Sequence, residues 1–271
     1  MFNCNGVIVS NLNQGEEGLI RALHTNFFLN ETIRLNENKI LLLEEHYFRI
    51  ISSLRRYRFK IPMNYTMDFF QDELQKLIQS QKKKIENAVF SLQFIKLYNT
   101  TQFIISLNPT ESLKSINSSY NIDLYKEANI SSGDLSNLSP TNWGIRIMAK
   151  QYARENGLED VILLNENKNL VESLRGSIYL LQGTKLLTPK LEEGCQNYTF
   201  RSAFNKWLEK KQNLYSILES NLNPFELQKS EEIFILSLEI GLTSVSNYRK
   251  TRYPQKKCQG IFRALTDDIF N

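Results

Sequence analysis

The sequence predicts a two-domain protein of mixed α/β (α+β) class, and three observations carry that prediction. At 271 residues the chain is longer than most single hydrophobic cores and suits two packed domains. Short apolar runs of strand length alternate with segments whose apolar residues recur at helical spacing. A polar stretch from Asn108 to Ser119, with Pro109 and several serines, interrupts that alternation near the middle. The domains are therefore placed at residues 1–112, a smaller N-terminal unit, and 113–271, a larger C-terminal one.

Composition narrows the function classes. The chain is 41% hydrophobic, 23% charged and 11% aromatic, which fits a folded globular protein and excludes a disordered one. A formal charge of +4 is too small and too dispersed for a nucleic-acid partner. No apolar run reaches bilayer length, so no membrane partner is expected. The first residues, Met1-Phe2-Asn3-Cys4-Asn5, lack a basic segment ahead of an apolar core, so no secretory signal is expected. Cys4, Cys195 and Cys258 are few, odd in number and far apart, which favours reduced thiols and a cytoplasmic location. Two histidines and no Cys-x-x-Cys leave no metal site to build.

The elements follow in order. Val7, Ile8 and Val9 predict a strand within Asn5 to Ser10, and strands are predicted at Leu29 to Leu35 and Lys39 to Leu43, joined by a turn over Asn36-Glu37-Asn38-Lys39. Tyr47, Ile50, Ile51 and Leu54 recur at helical spacing, predicting a helix from Glu44 to Tyr57 with acids first and arginines last. Thr66 opens a second helix to about Gln81, and the following Lys82-Lys83-Lys84 reads as a solvated end. Strands Val89 to Leu97 and Gln102 to Leu107 close the first half around the turn Asn99-Thr100-Thr101.

In the second half a strand from Asn121 to Lys126 precedes a polar loop, Asn129 to Thr141. A helix follows from Asn142 to Glu155, with Trp143, Ile147, Met148 and Tyr152 at helical spacing and Gly157 as its stop. Val161 to Leu164 is apolar throughout and is predicted to lie inside its sheet. Short strands at Leu170–Glu172, Ser177–Leu181 and Leu186–Leu187 lead to a helix from Thr199 to Lys210. Strands near Tyr215–Leu218, Ile233–Leu238 and Thr243–Tyr248 are expected to complete the sheet, and Gly260 to Phe270 is predicted helical. The basic and aromatic stretch Tyr248 to Tyr253 reads as an exposed loop.

Several of these segments resemble one family in order and spacing. Arg21-Ala22-Leu23 with Leu29-Asn30-Glu31-Thr32-Ile33-Arg34, then Leu43-Glu44-Glu45-His46-Tyr47-Phe48-Arg49, resemble the opening motifs of the class IV aminotransferases. Tyr152 to Asn165, Val171-Glu172, Leu187-Thr188-Pro189, Glu193-Gly194-Cys195 ahead of Arg201, and Ser230 to Phe234 with the loop Gly241 to Val245 continue the likeness. Each motif alone is weak, and the ordered set from Arg21 to Val245 is specific. That family includes branched-chain and D-amino-acid aminotransferases and aminodeoxychorismate lyases. The resemblance implies the two-domain fold type IV scaffold of the D-amino-acid aminotransferase kind. It also implies pyridoxal phosphate chemistry on an amino or carboxylate substrate in an interdomain cleft, and a homodimer.

The same resemblance locates departures. The family holds its cofactor as a Schiff base to a lysine, which also relays a proton. That lysine's position, three residues before the helix start at Asn142, is Ser139 here, with Ser136 as the next candidate and Lys150 as the nearest lysine. A hydroxyl forms no Schiff base. Asn26-Phe27-Phe28 replaces a Gly-Asp-Gly, Tyr198 a phosphate-approach glycine and Leu238 a small polar residue. Arg49 keeps the phosphate-arginine position, Glu172 the pyridine-nitrogen position, and Thr243 with Ser244 the phosphate loop. On this reading the chain holds no cofactor and keeps the fold as a binding or regulatory module for a small anionic ligand. The alternative is an active aminotransferase or lyase. The plainer reading of Arg49 and Glu172 is that one pairs with a carboxylate and the other caps a polar cluster. His24 and His46 are not expected to be catalytic, and Cys195 is expected as a small buried hydrophobe.

Overall fold

The computed structural model describes residues 1–10, 28–96, 100–113, 119–138, 142–211 and 215–270. It divides into two compact units, Met1–Ser112 and Leu113–Asn271. The first contains strands β1 (Phe2–Cys4), β2 (Val7–Val9), β3 (Phe28–Asn36) and β4 (Lys39–Ile40), helices α1 (Leu43–Arg56) and α2 (Met67–Gln79), and strands β5 (Ala88–Lys96) and β6 (Thr101–Pro109). Its single six-stranded sheet runs β2-β1-β6-β5-β3-β4.

Two tight turns set the registers of this sheet. Asn5 and Gly6, at φ of 50° and 92°, turn β1 back on β2, so the predicted first strand is the second arm of a hairpin. Glu37 and Asn38, at 49° and 65°, make the predicted turn between β3 and β4. The strand expected to reach Leu43 stops at Ile40, because Leu43 already starts α1. The side chain of Thr66 accepts a hydrogen bond from the Phe69 N–H at 3.1 Å, capping α2 as the sequence suggests. Lys82, Lys83 and Lys84 are exposed. Apolar faces of both helices close over one side of the sheet, where Leu54, Phe70, Leu74, Phe90, Leu92 and Ile105 are fully buried. Tyr65, Phe70 and Phe103 meet edge to face at that core, and the Tyr65 hydroxyl donates to Thr101 O at 2.9 Å.

The second unit is built on two five-stranded sheets, where the sequence suggested one. It begins with β7 (Asn121–Leu124), α3 (Trp143–Glu155), β8 (Asp160–Leu164), β9 (Leu170–Ser173), β10 (Ser177–Gln182) and β11 (Lys185–Pro189). It continues with α4 (Thr199–Lys210), β12 (Ser216–Ser220), α5 (Phe225–Lys229), β13 (Glu232–Ser237) and β14 (Gly241–Ser244). Two short strands, β15 (Asn247–Tyr248) and β16 (Thr251–Arg252), precede α6 (Lys256–Leu265) and a turn of π-helix. One sheet runs β16-β15-β7-β8-β9 and the other β12-β11-β10-β13-β14.

Period-two alternation explains why both sheets are apolar on both faces. Ile162 and Leu164 of β8 share a core with Ile178, Leu180, Ile233 and Ile235 of the other sheet. Val161 and Leu163, the alternate residues, turn to Ala149 and Ala153 of α3. On the far face of the second sheet, Tyr179 and Phe234 stack on each other and meet Phe204 of α4 edge to face. The strand Asp160–Leu164, buried throughout, thus lies inside its sheet as predicted.

The helical stripe on α3 is a correction. Trp143, Ile147 and Met148 are 49%, 55% and 52% exposed, and the face against the sheet carries the small residues Ala149 and Ala153. Spacing alone does not tell which face of a helix is buried, and alanines permit the closer approach. No helix among the described residues is long and apolar enough to cross a membrane.

Candidate functional site

Glu172 is the centre of the candidate site, and a β-bulge aims it. Along β8 and β9 the pairs are Leu164 with Leu170 and then Leu163 with Glu172, so Val171 is the extra residue. Regular pairing would set Glu172 opposite Ile162, whose side chain faces the core between the sheets. The bulge moves it opposite Leu163 and turns it toward α3. There the Arg146 guanidinium of α3 forms an ion pair with one carboxylate oxygen. The Gln196 main-chain N–H donates to the other at 2.9 Å.

Both partners of this ion pair are withdrawn from water: Glu172 is fully buried and the Arg146 side chain is 11% exposed. Burial opposes the charge on Arg146, but Glu172, and after it Tyr198, outweighs that cost and holds the guanidinium protonated. Arg146 Nε is buried with no hydrogen-bond partner. Arg146 did not figure among the sequence candidates. It shares spacing with Ala149 and Ala153, three and seven residues on, which is the signal that it faces the sheet with them.

The loop after β11 delivers Gln196 and Tyr198. Gly194 sits at φ 99°, where an added Cβ would lie 2.7 Å from Ser131 O, so the loop needs glycine there. Arg201, nearly inaccessible, ties the loop down by donating to Pro189 O at 2.7 Å and to Cys195 Sγ at 2.8 Å. Burial pushes the Cys195 thiol up to about 12, with Arg201 acting against it. The thiol is therefore protonated at neutral pH and serves as a small core residue, as expected. All three cysteines are free.

In the first unit Arg49 pairs with Glu31, and His46 Nδ1 lies 2.6 Å from the other oxygen of that carboxylate. Burial pushes Glu31 up, but Arg49 and His46 together outweigh it, leaving the carboxyl below its usual range and ionised. Arg49 thus pairs with a carboxylate, whereas Glu172 meets a guanidinium and a main-chain N–H. Thr243 and Ser244 lie buried on β14 of the second sheet, and the Thr243 hydroxyl donates to Ile240 O at 2.9 Å. Glu172 stands on the other sheet of the same unit, and Arg49 belongs to the first unit.

Ser139, Phe27, His24 and the Arg21 motif lie outside the described residues. Ser136 is buried and donates to Ser131 O while accepting from Asn142 Nδ2 at 3.2 Å, a loop-closing role. Lys150 is exposed on α3. Tyr198 is half-buried beside Arg146, and Leu238 is buried. Among the described residues no group of three or more His, Cys, Asp or Glu side chains could hold a metal.

The fold that carries these residues belongs to a recognised class of protein. The sequence matches the amino-transferase class IV family over residues 29–248, and the chain is a member of that family. It is 21% identical over 242 residues to a probable branched-chain-amino-acid aminotransferase of Aquifex aeolicus, covering 86% of this chain and 77% of that protein. The branched-chain amino acid aminotransferase of Escherichia coli superposes with a TM-score of 0.84 at 16% identity, over 99% of this chain and 93% of that one. The enzyme of Thermobaculum terrenum, solved in its PLP form, superposes with a TM-score of 0.75 at 17% identity, over 90% and 85%.

The expectation that the chain holds no cofactor is corrected by these findings. Its homologues are pyridoxal-phosphate-dependent, and one structural neighbour carries the cofactor. The physical reason is that a cofactor of this kind is held by many non-covalent contacts as well as by one covalent bond, so no single residue decides whether it binds. Within the second unit, Glu172 is a buried carboxylate of the kind that meets a ring nitrogen, and Thr243 and Ser244 carry hydroxyls of the kind that bind phosphate, so the residues of that unit are chemically compatible with the group.

Proposed function

We propose that this chain is a class IV aminotransferase-fold protein that holds its pyridine ligand reversibly and does not run transamination or lyase chemistry from position 139. The cofactor, when bound to a lysine, supplies the electron sink and covalent anchor of this family's reactions. The observation that supports this reading is Ser139 in Leu138-Ser139-Pro140-Thr141-Asn142-Trp143, where the resemblance places that lysine. A serine hydroxyl neither forms the carbon–nitrogen double bond nor accepts and returns the substrate proton at neutral pH. Arg146 adds to it, because it already satisfies Glu172, the residue that would otherwise hold the ring nitrogen.

The residues that remain can bind and orient. In the first unit Arg49, held by Glu31, carries a positive charge of the kind that binds phosphate; in the second, Thr243 and Ser244 offer hydroxyls. Glu172 and Arg146 form a neutral buried pair at the ring end. The result is a binding or regulatory module, with a homodimer carried over from the family and checked by analytical ultracentrifugation. Equilibrium dialysis against pyridoxal phosphate tests the reading. Saturable binding fully reversed by dialysis is expected, and retention of one equivalent per chain after exhaustive dialysis contradicts it.

A second reading, an active aminotransferase or lyase, draws on the kept Glu172 and the likeness to the Aquifex aeolicus protein. It requires turnover of a branched-chain amino acid with a keto-acid acceptor above the rate of free cofactor.

A further inference from the structure

We propose that Arg146 is a specificity-determining residue that inverts the hydrogen-bond polarity of the ring end of this site. The proposal rests on the reversible-binding reading above and concerns which form of the ligand is taken. A fully buried carboxylate needs a cation beside it, since an unpaired charge in the interior is strongly unfavourable. Glu172 receives that cation from its own chain through Arg146, while Gln196 N–H occupies its second oxygen. A ligand arriving with a protonated ring nitrogen would have to displace Arg146 and leave a buried guanidinium without its carboxylate. A ligand with an unprotonated ring nitrogen brings an acceptor instead. The buried, unpartnered Nε–H of Arg146 is a donor of the matching kind. Tyr198 also interacts with the guanidinium and helps to hold it in place.

The ligand class is therefore a phosphorylated pyridine bound with its ring nitrogen neutral. The test compares pyridoxamine phosphate, which cannot form the covalent link, with its ring N-methyl derivative, a permanent cation, by isothermal titration at pH 8. The native protein is expected to prefer the parent by about tenfold. In Arg146→Met the now lone Glu172 is expected to erase or reverse that preference, whereas Arg146→Lys keeps it. If removal of the Arg146 charge leaves the methionine variant unfolded, Arg146→Gln, which still donates to Glu172, is used in its place. An equal preference in native and neutral variants, both folded by circular dichroism, overturns the role of Arg146 and leaves reversible binding standing. Failure of the native protein to bind either compound overturns both.

Discussion

Asp160 shows how a single buried side chain makes the stability of the second unit depend on pH. It accepts the Tyr120 hydroxyl at 3.0 Å and the N–H groups of Val161 and Leu174 at 2.8 and 3.1 Å, yet burial outweighs these bonds and raises its carboxyl to about 6. The folded value lies above the unfolded one of about 3.9, so the folded state holds the proton more tightly. Stability from this group is full at low pH and is lost as pH rises from about 4 through 6, by about 3 kcal/mol. Asp160→Asn should thus gain on the native protein as pH rises, measured by urea unfolding at pH 4.5 and 7.5. A difference between the two proteins that is the same at both pH values would refute this assignment. At the ion pair, Glu172→Gln leaves Arg146 buried without its carboxylate and is expected to cost about 3–5 kcal/mol. Replacing both with neutral residues should cost much less, because the pair's desolvation is relieved with it. A double variant as unstable as the single one would show that packing, not charge, sets the loss.

Elements were the most legible level of the sequence. The helices at residues 43–56, 67–79, 143–155 and 199–210 are local in origin, and that at 67–79 is fixed by a side-chain cap the sequence displays. Thr66→Ala removes one such cap and should destabilise the first unit by about 1 kcal/mol in a denaturant titration. No change on losing the Phe69 N–H acceptor would mean that the helix start is held by packing alone. The first strand pair was half seen, because Phe2-Asn3-Cys4 is too short to show alternation and only its partner across Asn5-Gly6 stood out. The division of the second unit into two sheets was not legible, since a strand buried on both faces looks the same in either sheet. Glu172 could be picked out by resemblance, but the bulge at Val171 and the Arg146 partner could not be read from residue types. A one-residue register change is a tertiary outcome, invisible in local periodicity. The same holds for the exposed stripe of α3. Ile147→Lys is expected to change stability by less than about 0.5 kcal/mol, and a large loss would place that stripe in an interface.

At the scale of the whole molecule, the chain keeps its family's fold. The superposition on aminotransferases spans nearly the entire chain at identities near 17%, so the scaffold tolerates wide substitution as long as core volume and patterning persist. The buried ion pairs of Glu31 with Arg49 and Glu172 with Arg146 persist inside that scaffold as charges matched within each unit. The most direct measurement is borohydride reduction of the protein saturated with pyridoxal phosphate, followed by peptide mass spectrometry. The account predicts no stoichiometric phosphopyridoxyl label at any one lysine. One equivalent of label on a single lysine would contradict it.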